Sequence, residues 1–367
     1  MLVGAQPPDA TRLTIAQRFL VRKAEVRRGV RRRKDHSRFR GGTRTPRSSL
    51  LRQRRVKRHE LPFPFALTSG PVNEKLIVFD TTLRDGELTH GVRFSPADKV
   101  AIASLLAQSG VDVVEVAIAD ASGHSLESVG AIAREVRTCT ICVLAPLSEG
   151  AIDSAGASLR GAESARIHLF QAGAPGDERA TFTESMVRRA GRLAGEVEFS
   201  PANGACASLE GVAAVIRAAL RGGATTINLA DTVGRALPED IARRIWELGA
   251  RVPELAEANI SFHGHNDLGL ATANTLAAVR AGARQVEVAV NGLGARAGNA
   301  SLEEVVAVMS EHSDAFGKRT SVNLDSLVAL SRLVEERSQL GVPAQKAIVG
   351  RHVHWRPQKM PNAALPD

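Results

Sequence analysis

Beyond residue 75 the chain switches repeatedly between two rhythms of apolar and polar positions. Short runs of Val, Ile, Leu and Ala read as strands covered on both faces. Longer stretches with apolar residues every three to four positions read as amphipathic helices. Strands are predicted at Leu76–Asp80, Val111–Ala117, Thr140–Ala145, Ala165–Phe170, Glu196–Ser200, Thr225–Leu229, Ile260–His263 and Gln285–Val290. Helical patterns lie between them, for example Pro96–Ser109, Leu126–Val136, Thr183–Leu193, Leu209–Arg221, Pro238–Gly249, Ala271–Ala281 and Leu302–Ser310. Gly110, Gly222-Gly223 and Gly282 follow three of these helices, as C-terminal caps should.

Eight strands separated by helices over about 230 residues predict an α/β fold, a (β/α)8 TIM barrel. A doubly wound open sheet is the alternative. It favours a Gly-rich phosphate loop after the first strand, and the chain instead reads Asp80-Thr81-Thr82-Leu83-Arg84-Asp85-Gly86-Glu87 there. In a barrel, catalytic groups gather at the C-terminal ends of the strands. Polar residues fall at those ends: Asp80 with Arg84 and Asp85, His168, Asp231-Thr232, His263 with His265, and Asn291 with Asn299.

Composition adds little to the fold and much to the organisation. The chain has 367 residues and is 44% hydrophobic, enough for one large domain with extras, and no apolar run is long enough to span a membrane. The net charge of +9 is unevenly spread. Residues 1–70 carry 19 basic and 4 acidic side chains, a surplus of 15, while the remainder carries 29 basic and 35 acidic, a net −6. Residues 1–72 lack hydrophobic periodicity and are expected to form a disordered basic leader. A nucleic-acid-binding arm and an organelle transit peptide are its functional readings; an extension that never packs on the domain is preferred, and no nucleic-acid partner is expected. Cys139, Cys142 and Cys206 are too few for a disulfide framework and fit a reducing, cytoplasmic setting. Cys139 and Cys142 lie three apart in a strand, on opposite faces, which argues against a redox or zinc pair.

The candidate chemistry centres on His263-Gly264-His265. Residues i and i+2 of a strand share a face, so both imidazoles leave the strand end in one direction, close enough to share an ion. Asp85 and Asn299 are the natural completing ligands. Two imidazoles, a carboxylate and an amide oxygen make a mixed N/O set for a divalent metal such as Mn²⁺, Zn²⁺ or Mg²⁺ with positions left open. Arg84, beside Asp85, places a fixed cation near an oxygen that gains negative charge. Such an assembly suits chelation of a 2-oxo acid and attack on its carbonyl by a carbon nucleophile.

Four segments carry a wider resemblance: Phe79 to Glu87, Ile227 to Gly234, His263 to Leu270, and Asn291 to Glu304. Over Lys75–Gly350 the chain resembles the 2-isopropylmalate synthase and homocitrate synthase family, metal-dependent Claisen-condensing enzymes on a TIM barrel. Asn73 to Leu76 and Lys346 to Gly350 look most like its isopropylmalate branch. The resemblance implies an acyltransferase of leucine biosynthesis that condenses acetyl-CoA, the co-substrate, with a 2-oxo acid, 2-oxoisovalerate first, as a homodimer. Carried over, the metal ligands fall on Asp85, His263 and His265, with Asn299 nearby; Arg84 polarises the keto group, and His168 and Thr232 contact the keto acid. A homocitrate- or citramalate-type acceptor, or an impaired paralogue that only holds metal and ligand, are the alternatives.

Departures from that pattern motivate the last alternative. Leu88 stands where the family has Gln, Pro146 and Cys206 where it has Arg, and Ala202, Asn203 and Ala295 where it has acidic residues. The expected domains are the leader over 1–72, a catalytic barrel over 73–315, and a post-barrel helical segment and tail over 316–367. A truncated C-terminal segment without the family's regulatory domain predicts no leucine feedback. His352 and His354 sit in a tail that reads as disordered rather than as a substitute for the family's lid histidine.

Overall fold

The computed structural model describes residues 74–119 and 126–353; the expected leader and the tail beyond Val353 lie outside the described residues. Eight parallel strands close into a barrel in sequence order: β1 (Ile77–Asp80), β2 (Val113–Ile118), β3 (Thr140–Pro146), β4 (Ala165–Gln171), β5 (Glu196–Pro201), β6 (Thr226–Asp231), β7 (Asn259–Gly264) and β8 (Gln285–Val288). β8 pairs back onto β1 through Gln285 opposite Ile77 and Val288 opposite Asp80. Closure leaves no barrel edge to protect.

Helices follow the strands: α1 (Pro96–Gln108), α2 (Val129–Glu135), α3 (Glu149–Ser158), α4 (Ala180–Ala190), α5 (Leu209–Gly222), α6 (Pro238–Arg251), α7 (Ala271–Arg280) and α8 (Leu302–Glu311). Among the described residues no helix is long and apolar enough to cross a membrane. α1 starts on a reciprocal cap, in which Ser95 Oγ accepts from the Asp98 N–H and the Asp98 carboxylate accepts from the Ser95 N–H. It stops at Gly110, whose φ of +88° is left-handed and whose Cβ, if present, would collide with the Ser321 carbonyl oxygen. A further helix, α9 (Leu327–Ser338), packs on α1. Lys346 ties the following segment to the barrel through Glu304 and through Ser301 Oγ at 3.2 Å.

Alternation along the strands decides what lies inside. Ile167, Leu169, Val197, Phe199, Ile227, Leu229, Phe262, Val286 and Val288 belong to the main apolar core. The residues between them point the other way and bond to one another across the barrel. Arg166, Glu198, Ser261 and Gln285 form a floor: Arg166 Nη1 donates to Glu198 at 2.9 Å and to Gln285 at 2.7 Å, and Gln285 Nε2 donates to Glu198 at 2.8 Å and Ser261 at 2.9 Å. Two residues further along the same strands come His168, Ser200, His263 and Glu287. The barrel interior thus holds a paired polar floor with a reactive storey above it, beside a small apolar cluster of Phe79, Val113 and Cys142.

Candidate metal centre and pocket

The turn after β1 is wound tightly, with the Thr81 carbonyl accepting N–H groups from Arg84, Asp85 and Gly86. This winding brings Arg84 and Asp85 over the barrel mouth side by side, Arg84 Nη1 lying 3.5 Å from Asp85 Oδ1. From β7, His263 Nε2 lies 3.2 Å from Asp85 Oδ2, and His265 Nε2 lies 3.9 Å from the same oxygen. The two Nε2 atoms are 3.3 Å apart. Adjacent donors about 2.1 Å from one cation sit about 3.0–3.4 Å from each other. The 3.2 and 3.3 Å separations match that spacing, and the 3.9 Å one must close by about half an ångström for all three to share an ion. His265 Nδ1 and Asn299 Oδ1 are buried without partners, and a mixed N/O donor set of this kind fits such an ion.

Asn299 joins the group differently from the sequence expectation. Its Nδ2 donates to Asp85 Oδ2 at 3.2 Å and to the Leu293 carbonyl at 3.0 Å, so nitrogen rather than oxygen faces the carboxylate. Ligation through the amide oxygen requires the side chain to turn. The loop that carries it is held open by glycine: Gly298 has φ of +90°, and a Cβ there would strike the Gly292 carbonyl oxygen.

Charge is distributed unevenly over the cluster. Burial alone would raise Asp85, but Arg84 and then His263 hold its carboxyl far below the usual range. His263 is pulled down by burial, yet Glu287, 2.7 Å from Nδ1, and Asp85 together lift it to about 10. Burial and the neighbouring His263 push His265 down to about 4. The Glu287 carboxylate also fixes Nδ1 as the outward nitrogen of His263 and leaves Nε2 facing Asp85.

Arg84, Asp85, His168, Thr232, His263 and His265 all line one cavity of about 410 Å³ at the C-terminal mouth. Its other walls are largely apolar, among them Leu88, Leu144, Phe170, Pro201, Ala202, Ala230 and Ala295. Thr232 is exposed at the rim, where its carbonyl accepts from Arg296 at 2.8 Å. Arg296 also grips Asp267 through two bonds of 2.9 Å, tying together the loops after β6, β7 and β8.

The HMGL-like family matches residues 75–334. The chain belongs to the HMGL-like family. Curated 2-isopropylmalate synthases from Nitrosococcus oceani and Escherichia coli are each 44% identical to it over 289 residues, 76% of this chain and 57% and 55% of those proteins. The chain therefore spans little more than half the length of these relatives. Among solved structures, an HMG-CoA lyase from Acinetobacter baumannii, in complex with coenzyme A and 3-methylmalate, has a TM-score of 0.62 at 21% identity, covering 77% of this chain and 98% of that one. The Pseudomonas aeruginosa hydroxymethylglutaryl-CoA lyase gives 0.61 at 22%, covering 75% and 97%. At that identity the likeness shows the barrel and nothing finer.

Within this HMGL-like barrel, four interior residues escaped the sequence reading: Glu115, Ser200, Asn228 and Glu287. Each sits in a strand chosen for its apolar neighbours, where one polar residue looks incidental. The signal was the spacing: Arg166-x-His168, Glu198-x-Ser200, Ser261-x-His263 and Gln285-x-Glu287 each put a floor residue and a site residue on one face. Cys139 and Cys142 are both buried and unpaired, with burial pushing Cys139 up to about 12, so neither is poised for thiolate chemistry.

Proposed function

We propose that the chain catalyses a 2-isopropylmalate synthase-like Claisen condensation of acetyl-CoA with a 2-oxo acid, 2-oxoisovalerate first, using a divalent cation held by Asp85, His263 and His265 with Asn299 beside them. The observation that carries this reading is the convergence of one carboxylate oxygen and two imidazole nitrogens within 3.2–3.9 Å. The 44% identity to curated 2-isopropylmalate synthases supports it. Bound there, such a cation supplies a Lewis acid for the 2-oxo carbonyl. The side chains do the rest. Arg84, clamped through Nε to Glu115 at 2.5 Å, brings a fixed positive charge to the pocket wall for the oxygen that becomes an alkoxide. Thr232 at the rim and the apolar walls orient the acid and exclude water from the carbon nucleophile.

A chelator-stripped sample given Mn²⁺ or Mg²⁺, acetyl-CoA and a panel of 2-oxo acids tests this by thiol release. Turnover should need the metal, favour 2-oxoisovalerate and vanish in His265→Ala. Thiol release indifferent to chelation would overturn it. A second reading is a paralogue that binds metal and keto acid without turnover, favoured by Ala202, Asn203 and Ala295 at the wall, none of them ionisable. Metal binding with no thiol release from any acceptor would decide for that one.

A further inference from the structure

Both ring nitrogens of His168 are already engaged. Nδ1 lies 2.9 Å from Glu115 Oε1 and Nε2 lies 2.7 Å from Ser200 Oγ. Asn228 Nδ2 donates to the same hydroxyl oxygen at 2.9 Å. Glu115 is pinned in turn, its Oε2 accepting from Thr81 Oγ1 at 2.7 Å and Arg84 Nε at 2.5 Å. Ser200 and His168 line the cavity and Glu115 lies behind them. Whatever exchanges a proton with this imidazole from the pocket must therefore do so through the Ser200 hydroxyl.

We propose that Ser200, backed by His168 and Glu115, is a proton relay that takes a proton from the acetyl methyl group and returns it to the product alkoxide. The proposal rests on the condensation reading above and supplies the base which that reading otherwise lacks beside Ala202. With His168 neutral and its proton on Nδ1, donated to Glu115, the Nε2 lone pair accepts the Ser200 O–H. Asn228 fills one lone pair of Oγ and leaves the other for an incoming proton. In the forward step the methyl C–H bond breaks and its proton bonds to Ser200 Oγ. The Ser200 hydroxyl proton moves to His168 Nε2, and the C–H electron pair becomes the carbon nucleophile. That pair then forms the new C–C bond, and the keto oxygen takes the negative charge. The relay runs backwards: Nε2–H returns its proton to Oγ, and the Oγ–H proton passes to the alkoxide. Charge balances at each stage and the relay needs no further reactant. Water then hydrolyses the product thioester, its OH going to the acyl carbon and its proton to the departing sulfur, which releases the thiol.

The surroundings favour an imidazole that accepts protons well. Burial pulls His168 down, but Glu198, Glu115 and Glu287 around it carry it above its ordinary value. Of the facing cations, Arg84 is paired to Glu115 and Arg166 to Glu198, and burial pushes the neighbouring Cys142 thiol well above its ordinary value. The relay works only with His168 neutral, so kcat should rise with pH through that raised value.

The test uses the full chain with Mn²⁺, acetyl-CoA and 2-oxoisovalerate, following thiol release against pH and deuterium uptake into the acetyl methyl group in D2O. Ser200→Ala should lower kcat about 10²-fold or more, with KM changed little, and should flatten the acid limb of the pH profile. Ser200→Thr, which keeps a hydroxyl, should restore most of the rate and the limb. His168→Gln, which keeps hydrogen bonds to both neighbours, should lose the limb independently of how well Ser200→Ala folds. A merely structural role would lower thermal stability or raise KM and leave the limb in place. Thiol release and acid limb unchanged in Ser200→Ala and His168→Gln would sink the relay alone. An acetylated Ser200 in intact-mass spectra would replace it with a nucleophile. A wild-type protein that releases no thiol from any 2-oxo acid and takes up no deuterium would remove the condensation reading and the relay together.

Discussion

Glu287 does for His263 what Glu115 does for His168: a carboxylate oxygen at 2.7 Å holds Nδ1 and so decides where Nε2 faces. Glu287→Gln keeps the shape and removes the charge. It should weaken Mn²⁺ binding about 10- to 100-fold by calorimetric titration, and an unchanged affinity would mean His263 is held by something else. Asp80 shows a different use of burial. Desolvation raises its carboxyl to about 7, against the hydrogen bonds it receives from Thr82. The folded state then holds a proton that the unfolded chain gives up at lower pH. Its contribution is complete below the unfolded carboxylate range and is lost as pH rises towards about 7. The urea midpoint of the wild type, measured against that of Asp80→Asn, should accordingly fall between pH 4 and pH 7. At this scale the sequence was half legible. The paired histidines announce themselves by adjacency and strand geometry, and Arg84, Asp85 and Asn299 by their places after the first and last strands, with the resemblance adding their separate roles. Glu287 was marked only by its two-residue spacing from Gln285, and Glu115 carried no local mark, because a lone acid in a strand is indistinguishable from a solvated one until its register is known.

The elements were easier to read than the side chains within them. All eight predicted strands formed, with ends moved by no more than two residues, since runs covered on both faces leave a strong apolar trace. α3 had gone unremarked because Glu149–Ser158 is built mainly from Ala, Gly and Ser, and Ile152 is its one large apolar side chain. α4 began three residues earlier than its pattern suggested, continuing directly from a 3-10 turn at Asp177–Arg179. The capping glycines held because their geometry admits little else. Gly110→Ala should destabilise the protein by more than the ~1 kcal/mol of an ordinary left-handed alanine, since the backbone of Ser321 blocks the new methyl group. Ser95→Ala, which removes half of the α1 cap, should cost about 1 kcal/mol. Both are read from urea unfolding at neutral pH.

Across the whole barrel, the polar floor is the feature on which the site stands. Arg166 pairs with Glu198 at 2.9 Å and Glu196 at 2.5 Å, and Glu198 and Gln285 complete the ring. Arg166→Met should cost about 3–5 kcal/mol, because it strands a buried carboxylate. Replacing Arg166, Glu198 and Gln285 together by apolar residues of like volume should cost less than the single change. A milder single mutant would show that water reaches the floor. Topology was legible from the alternation of strands and helices, but the depth at which each side chain sits was not, because depth follows from strand tilt and register rather than from residue type.

Floor and reactive storey share the same strands at a spacing of two, and this ties chain length to chemistry. A single residue inserted within Ala165–Gln171 would swing His168 outward against the helices and turn Leu169 toward the substrate. An insertion in Asn259–Gly264 would do likewise to His263. Descendants of this sequence can therefore gain or lose residues in the connections between strands and helices, while the strands themselves must keep their lengths or surrender the site.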